Sequence, residues 1–558
     1  MNNTANKSFF DYSREITKDF LQTVVAVDDD MNFDPRLLVN DDLLEPEDGP
    51  GLGSNIDSDD NSMRPTGPIK HPLYYQSLSS SFAKKSIVCS GFRPLTEQAE
   101  TIEVIVETSK NADITILDWQ MDKSARDGEL ATKSIIELAN NDIKEGGRLR
   151  LVAIYTGEEV ESVIERLGAS LKESFDSTVS NGTILFKDKH LSHWKIDVIS
   201  KKTNEEELTT ALIDSFTELT SGLLSNAALS MIADIRDKTH NILHKFNKTL
   251  DPAYLSHVLG LISSPDTREQ AHEVAFDYAV DLLTEELKSE LQTSKKVKNS
   301  LSKEIMKSWP DNVNSKNNPY YFRLKIGSDT PIKFNTEKMN TLLSDMNKEE
   351  LNSFLENDLG VEERDKTSPV DRFKKESIQL TISDDETSSL FELCAIESAR
   401  RDITTVGSHS PVLKQGTILK KKDGNIFFMC IQPLCDSVRL SGSASFSLMK
   451  ISKKNNNFTH VLRDKDGAHL KLKIIPTPKD IRTYFFEPDL DKGSVRAIDR
   501  DSVLTFSAKH EESEDEIIFE WCGEFKQTVS QAIVNGLAAQ LSRVGFDTFE
   551  WLRLKRPN

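Results

Sequence analysis

The chain has 558 residues and a formal net charge of −20 at pH 7. Such an acidic chain would be repelled by polyanions, so its charge argues against a generic nucleic-acid binder or a binder of anionic membranes. The length predicts about three or four domains, each large enough to bury a hydrophobic core of its own.

The sequence shows no signal for export or for membrane insertion. No basic segment is followed by the short apolar segment of a signal peptide, and no apolar run approaches the length of roughly 18 residues that a transmembrane helix needs. The five cysteines are few and odd in number, which suits a reducing compartment. We therefore expect a cytoplasmic protein without a membrane segment.

Four short apolar runs in the first 205 residues each end in a polar side chain. Runs rich in β-branched residues and of this length are typical of buried strands in a parallel sheet. The carboxyl ends of such strands form one ligand crevice in an open sheet, so we expect these polar side chains to converge. The runs are 24–27, 114–117, 151–155 and 196–199, and the polar residues that follow them are Asp28-Asp29, Asp118, Thr156 and Lys201.

These residue types predict a metal-assisted site that accepts a phosphoryl group. Mg²⁺ prefers oxygen ligands and keeps several waters, and Asp28, Asp29 and Asp118 can supply carboxylates for it. The cation would also keep Asp118 ionised and able to attack phosphorus as a nucleophile. Thr156 would donate a hydrogen bond to one phosphoryl oxygen, and Lys201 would neutralise another.

The ordered set of residues resembles the receiver domain of two-component response regulators. Asp28 and Asp29 match the acidic pair of that family, and Asp118 matches its phosphoacceptor. Thr156 matches the switch hydroxyl, and Lys201 matches the invariant lysine.

The resemblance extends over residues 18–220 and carries several expectations. The segment 118–121, followed by 127–130, is similar to the loop after the family's phosphoacceptor, which implies that the backbone carbonyl of Gln120 binds the metal. The resemblance implies an N-terminal flavodoxin-like, doubly wound receiver domain. It also implies Mg²⁺ as the cofactor and a sensor histidine kinase as the partner.

Two positions depart from the family pattern. Lys202 follows Lys201 where the family usually has proline. Val198 lies three residues before Lys201, where the family usually has an aromatic residue that rotates inward on phosphorylation. A small aliphatic side chain cannot make that movement, so we do not expect the family's usual outward signal.

Lys187, which follows the apolar run 183–186, is the alternative to Lys201. We prefer Lys201 because a capped helical pattern follows it, in which Thr203 or Asn204 can cap. This assignment makes 168–193 an insertion before the last strand and 31–73 an insertion after the first. One face of the predicted helix carries Leu208, Leu212, Phe216 and Leu219.

The whole chain is expected to combine α/β, helical and β-rich parts. Apolar spacings of three and four predict a helical domain after the receiver domain, and a charged segment with one helix follows it. Further on, apolar residues alternate, and Asp423-Gly424 and Asp466-Gly467 are typical of hairpin turns. The predicted domains are the receiver domain at 1–220, the helical domain at 221–310, the charged segment at 311–378, and a β-rich domain at 379–558 that ends in a helix from about Glu524 to Val544.

We expect a phosphoacceptor protein rather than an enzyme, with at most slow self-dephosphorylation. The sequence has no Gly-Lys-Ser/Thr phosphate loop, no His-Glu-x-x-His and no Gly-x-Ser-x-Gly. The acidic segment 41–60 and the segments 221–229 and 430–436 resemble atypical receiver proteins encoded beside sensor kinases in bacterial conflict systems. The strongest resemblance is to the effector-less receiver component of the Detocs phage-defence system. It implies a phosphate sink that restrains a second receiver-effector protein.

An alternative is an interaction protein whose phosphorylation drives output through the β-rich domain. A phosphoryl group adds about −1.5 to −2 charges near neutral pH, which is enough to bias an interface. A degenerate receiver that binds partners without phosphorylation is disfavoured, because all five site positions are present.

Overall fold

In a computed structural model, the chain forms two compact units. The first comprises Met1–Asn241, Leu287–Ser315 and Asn340–Asp345, and the second comprises Ile242–Glu286, Lys316–Met339 and Met346–Asn558. The predicted helical domain at 221–310 contributes helices to both units, and the domain boundaries expected after residues 220, 310 and 378 stay predictions. The structure describes residues 7–33, 72–121, 128–180, 182–264, 268, 271–313, 322–382, 387–405, 407, 410–510 and 513–541.

The first unit contains a sheet with seven described strands. They are β1 (Thr23–Val27), β2 (Val88–Phe92), β3 (Ile114–Asp118), β4 (Arg150–Thr156), β5 (Ser177–Ser180), β6 (Thr183–Phe186) and β7 (Trp194–Ser200). Their order is β2-β1-β3-β4-β7-β6-β5. The first five strands in this order are parallel, and β6 and β5 form an antiparallel hairpin at the edge. The four predicted runs are confirmed as strands β1, β3, β4 and β7.

Helices cover both faces of this sheet. Alternate residues of a strand point to opposite faces, so Val25 and Val27 enter one core while Val24 and Ala26 enter the other. The first core also contains side chains of α3, α4 and α5, and the second contains side chains of α2 and α6. The helices are α1 (Phe9–Phe20), α2 (Tyr75–Ala83), α3 (Gln98–Ser109), α4 (Glu129–Lys144), α5 (Val160–Lys172) and α6 (Glu205–Thr220).

The structure describes most of one predicted insertion and little of the other. In the segment 168–193, α5 ends at Lys172 and the β5–β6 hairpin follows. Most of the segment 31–73 lies outside the described residues, and so does its acidic part, 41–60. Residues 122–127, in the predicted loop after Asp118, also lie outside them.

The apolar spacing after residue 220 predicted helices, and six helices are described between residues 221 and 313. Of these, α7 packs against α1 in the first unit. No helix in the described ranges has both the length and the apolar character that crossing a membrane requires. The helices are α7 (Leu223–Asp237), α8 (Thr239–Lys245), α9 (Asp251–Ser263), α10 (Ala271–Thr293), α11 (Lys295–Ser300) and α12 (Lys303–Val313).

The segment predicted to be charged with one helix also contains strands, which the sequence analysis missed. Described strands β8 (Phe322–Ile326), β9 (Ile332–Phe334) and β10 (Ile378–Thr381) form an antiparallel sheet in the order β10-β8-β9. In β8 the buried apolar residues alternate with Arg323 and Lys325, and this short alternation is hidden by the surrounding charge. The helices here are α13 (Thr336–Leu342), α14 (Lys348–Ser353) and α15 (Pro369–Lys375), and a π-helical turn spans Phe354–Asp358.

The prediction of a β-rich C-terminal part is confirmed. Six described strands close into a barrel in the order β20-β12-β13-β14-β17-β19, because β19 also pairs with β20. Asp423-Gly424 connects β12 to β13, and Asp466-Gly467 connects β15 to β16, as predicted. The last helix begins at Gln527 rather than near Glu524, because β20 continues to Phe525. The elements are α16 (Thr387–Ser398), β11 (Ala399–Arg401), β12 (Thr417–Lys421), β13 (Phe427–Cys430), β14 (Ala444–Lys453), β15 (His460–Arg463), β16 (His469–Lys473), β17 (Ile481–Phe486), β18 (Ile498–Arg500), β19 (Val503–His510), β20 (Ser513–Phe525) and α17 (Gln527–Leu541).

Candidate functional site

Four neighbouring parallel strands end at one edge of the first sheet, and each end carries a predicted site residue. Asp28 follows β1, and Asp118 is the last residue of β3. Thr156 is the last residue of β4, and Lys201 follows β7. Because β1, β3, β4 and β7 are adjacent in the sheet, these side chains share one crevice.

The Lys201 ammonium lies between two of the carboxylates. Its Nζ atom is 2.7 Å from Oδ2 of Asp28 and 3.0 Å from Oδ1 of Asp118. The three side chains are at most 9% exposed, and buried charges of this kind require partners. Lys187 follows β6, which β7 and β4 separate from β3, and its backbone N–H donates to the Asp176 carbonyl. The structure therefore brings Lys201, and not Lys187, to the acidic cluster.

The acidic cluster has the donor set of a hard-cation site. Asp28, Asp29 and Asp118 each offer one carboxylate oxygen, and these oxygens all lie within 4.8 Å of one another. Within the described part of the chain, no other group of three or more His, Cys, Asp or Glu residues meets this criterion. Several carboxylate oxygens that converge in this way fit Mg²⁺, which takes oxygen ligands and retains waters.

Burial makes the two carboxylates nearest Lys201 hard to ionise. It raises the pKa of Asp118 to about 7, and the lowering effect of Lys201 only partly opposes it. Burial also raises the pKa of Asp28, again against the effect of Lys201. Burial alone would lower the pKa of Lys201, but attraction to Asp118 and Asp28 outweighs it and the pKa is raised. One ammonium does not compensate for this group of carboxylates, so a divalent cation would stabilise their ionised forms.

Thr156 is buried beside this cluster and is held by backbone contacts. Its hydroxyl oxygen accepts a hydrogen bond from the Glu158 N–H at 3.0 Å, and its carbonyl accepts one from the Lys201 N–H at 2.7 Å. A hydroxyl that accepts one hydrogen bond still has its own proton to donate. Thr156 can therefore donate to an oxygen bound near Asp118.

Glu158 joins the loops that follow β3 and β4, and the sequence analysis did not identify it. Its carboxylate accepts a 2.6 Å hydrogen bond from the Gln120 side chain and forms an ion pair with Arg166. This contact fixes the side chain of Gln120, whose backbone carbonyl is the predicted metal ligand. No motif in the sequence distinguishes Glu158 from other surface acids.

Trp119 holds the chain in place directly after Asp118. Its side chain is 1% exposed, and the Arg166 guanidinium lies 5.4 Å from a ring centroid. A Cβ atom at Gly128 would lie 2.4 Å from the ring, so only glycine permits this contact, and the positive φ of 70° at Gly128 also favours glycine. The aromatic residue and the glycine together constrain the strand end that presents Asp118.

Tyr155 is a second residue at the site that the sequence analysis missed. Its hydroxyl donates a 2.7 Å hydrogen bond to the Thr203 carbonyl, and its ring centroid is 5.7 Å from Lys201 Nζ. The sequence pattern identifies Tyr155 only as an apolar residue near the end of a strand. Its contacts instead tie β4 to the turn that carries Lys201.

The comparisons with known proteins identify the same part of the chain. Residues 20–206 match the family model of the response receiver domain. The N-terminal part of the chain is a receiver domain. No curated protein and no solved structure matches the chain. Receiver domains are generally phosphoacceptors rather than enzymes, they typically bind Mg²⁺ at acidic residues, and they imply a histidine kinase as partner.

The turn after the last parallel strand of the receiver domain is fixed by a helix cap. Asn204, rather than Thr203, caps α6 and accepts hydrogen bonds from the N–H groups of Glu206 and Glu207. Val198, at the position where the family usually has an aromatic residue, is buried in the core with α4 and α5.

Proposed function

We propose that this chain accepts a phosphoryl group on Asp118 from a sensor histidine kinase. Mg²⁺ would be held by Asp28, Asp29, Asp118 and the backbone carbonyl of Gln120. The observation that carries the proposal is the position of Lys201, whose ammonium is 2.7 Å from Asp28 and 3.0 Å from Asp118 at the shared strand edge. The matched receiver range contains all of these residues.

Asp118 is the nucleophile of the proposed reaction. One Asp118 oxygen attacks phosphorus, the phosphorus–nitrogen bond to the kinase histidine breaks, and the imidazole leaves with the electron pair. When bound, Mg²⁺ supplies positive charge that keeps Asp118 ionised and offsets charge on the transferring group. Lys201 exchanges part of its ion pair with Asp118 for a phosphoryl oxygen, and Thr156 donates a hydrogen bond to another.

The strand order supports a flavodoxin-like fold for the receiver domain. The parallel order β2-β1-β3-β4-β7, with helices on both faces, corresponds to the 2-1-3-4-5 order of doubly wound flavodoxin-like proteins. In that fold the ligand lies at the carboxyl ends of the strands around the switch point between the first and third strands. Asp28 and Asp118 occupy these two ends.

For the biological role, we favour a phosphate sink that restrains a partner receiver-effector protein in phage defence. This role is based on the sequence resemblance to the effector-less receiver component of the Detocs system. We place the reaction in the cytoplasm, and the five cysteines, all of them free thiols, support a reducing compartment.

The second candidate is a phospho-regulated interaction protein with output through the C-terminal β-rich domain. The barrel favours this alternative because its strands contribute to two apolar cores, built around residues such as Trp521 and Met449. The barrel is therefore a folded domain whose interactions the negative charge of a phosphoryl group on Asp118 could regulate.

Phosphotransfer tests the acceptor itself. Labelled, phosphorylated cognate kinase with Mg²⁺ should transfer label to this chain as an acid-stable, base-labile acyl phosphate. Asp118→Asn should abolish the label, whereas Asp113→Asn, just before the opposite end of β3, should retain it. Labelling of Asp118→Asn at the wild-type rate would refute the assignment.

The two roles can be separated by the growth of cells that carry this gene together with the neighbouring genes for the sensor kinase and the second receiver-effector protein. A sink competes with the second receiver, so deletion of this gene or Asp118→Asn should raise phosphorylation of that receiver and be toxic without infection. Healthy growth together with lost downstream activity would make the protein an activator and favour output through the C-terminal domain.

A further inference from the structure

The described residues from α8 to α10, including the turn between α8 and α9, carry a dense group of exposed apolar side chains. Eleven of the 28 large hydrophobic residues exposed in the described chain lie between residues 243 and 283. This range lies entirely within the second compact unit. Large exposed apolar patches on soluble proteins mark interaction surfaces rather than ordinary solvent-facing surface.

Helix α9 is the least polar element of this group. Between residues 252 and 263 it contains no Asp, Glu, Lys or Arg. Leu255 and Leu259, one turn apart on the same face, are 56% and 64% exposed. A helix that is apolar on most of its surface is normally buried. Its exposure here indicates that another surface covers it.

Helix α10 presents a matching apolar stripe. Phe276, Val280 and Leu283 follow the spacing of one helix face and are 64%, 42% and 40% exposed. A different side of the helix contacts α9: the Tyr278 ring is 4.6 Å from the His257 ring, and the Ala275 carbonyl accepts a hydrogen bond from the Tyr254 hydroxyl. Contacts between the two helices therefore leave the stripe of α10 open.

We propose that α9 and α10 form a homodimer interface, in which a second copy of this chain covers the same surface. We call the exposed face formed by Leu255, Leu259, Phe276, Val280 and Leu283 the apolar helical surface. In a twofold dimer the same patch meets itself, so two helices from each copy would form a four-helix arrangement.

The available area suits such a dimer. The five side chains of the apolar helical surface are exposed by 40–64%. At about half of roughly 150–200 Å² for each side chain, they offer on the order of 400 Å² of apolar area per copy. Stable interfaces bury about 800 Å² per partner, of which about 65% is apolar in homodimers, so these five side chains would supply most of the apolar core and polar rim residues the rest.

The charge distribution favours a second copy over a membrane. Asp277 and Asp281 flank the apolar stripe of α10, and the chain has a formal net charge of −20. Anionic lipids would repel this surface, whereas helices that lie on membranes carry Lys and Arg beside their apolar face. The absence of Asp, Glu, Lys and Arg from 252–263 lets α9 meet its copy at the twofold axis without repulsion.

Sedimentation equilibrium of the full chain tests the proposal. The wild-type protein should sediment at twice the chain mass of 62.9 kDa at micromolar concentration. Leu259→Glu and Phe276→Glu should each raise the dimer Kd at least about tenfold, because each buries a charge in an apolar contact. Leu490→Glu changes a leucine that is equally exposed, at 62%, outside this surface and should leave the Kd unchanged.

Circular dichroism of each variant provides the folding check, since all the substituted side chains are exposed. Unchanged helical signal with a monomeric Leu259→Glu variant supports the proposal. A wild-type protein that stays monomeric at about 100 times that concentration would overturn it, as would a dimer that neither substitution weakens. A membrane role would also overturn the proposal. It would be shown if monomeric wild-type protein floats with anionic phosphatidylserine vesicles and the Leu259→Glu variant does not.

Discussion

The Lys201 ammonium is 2.7 Å from Oδ2 of Asp28, a residue 173 positions earlier in the chain. This ion pair joins the first and last parallel strands of the receiver domain across the end of β3. The proposed phosphoacceptor Asp118 lies at that end, with an oxygen 3.0 Å from the same ammonium. The contact therefore defines both the site and the residues whose substitution tests it.

Lys201→Ala should slow phosphotransfer to Asp118 by at least about tenfold, because it removes a charge-assisted contact to the transferring group. Lys187→Ala is the matched control and should transfer at the wild-type rate, because Lys187 follows β6, which β4 and β7 separate from β3. Quenched-flow transfer from the phosphorylated kinase measures both rates. Equal rates in the two variants, or a phosphate-mimic complex with Lys187 at the site, would exclude the role of Lys201.

Asp29→Asn should lower Mg²⁺ affinity by about tenfold or more, because it removes one charged oxygen from the converging set. Asp28→Asn should weaken binding similarly and also disturb Lys201. Asp30→Asn is the neighbouring control, since Asp30 does not belong to the converging set. Titration calorimetry measures the affinities, and unchanged values for both Asp28→Asn and Asp29→Asn would remove the metal site from this position.

Metal-free stability should depend on pH through Asp118. Its pKa in the folded protein is about 7, above the ordinary value of 3.8, so the folded state binds more protons than the unfolded state between these values. Stability from this group is fully present below pH 3.8 and is lost as pH rises toward 7. Asp118→Asn removes this loss.

Melting curves in EDTA should therefore show Asp118→Asn gaining little over wild type near pH 4 and more near pH 7.5. The gain near pH 7.5 should be on the order of 4 kcal/mol, or about 8–16 °C. Added Mg²⁺ should shrink it, because the cation favours the ionised carboxylate. A gain that is constant across this pH range would contradict the burial argument.

Tyr155→Phe should slow phosphotransfer several-fold without changing Mg²⁺ affinity. The substitution keeps the ring near Lys201 but leaves the Thr203 carbonyl without the Tyr155 hydroxyl, at a cost of about 1 kcal/mol. Thr203→Ala should be silent, because the contact is made by the backbone carbonyl. Phosphotransfer rates and Mg²⁺ titration calorimetry, measured on the same samples, test this prediction. A loss of Mg²⁺ affinity as large as the loss of transfer rate would assign Tyr155 a purely structural role.

Local sequence patterns were enough to predict the strands of the site and its charged ends. Each apolar run is continuous and ends in a polar residue, so β1, β3, β4 and β7 could be recognised one at a time. The hairpin turns of the C-terminal part were also predicted, because Asp-Gly between alternating runs requires only local geometry. The strand β8 was missed, because its alternation is only five residues long and lies within charged sequence.

Tertiary structure decided which of these ends meet and what else surrounds them. The choice between Lys201 and Lys187 depends on strand order, since β7 lies beside β4 and β6 lies beyond β7 in the antiparallel hairpin. Tyr155 and Glu158 act through contacts to a backbone carbonyl and to side chains from other loops, and no local pattern encodes such partners. The raised pKa of Asp118 likewise depends on burial by the whole fold. Sequence by itself determined the residue types and the local elements, because these depend on short-range periodicity. Distances, burial and closure of the barrel depend on long-range packing, so only the tertiary structure determined them.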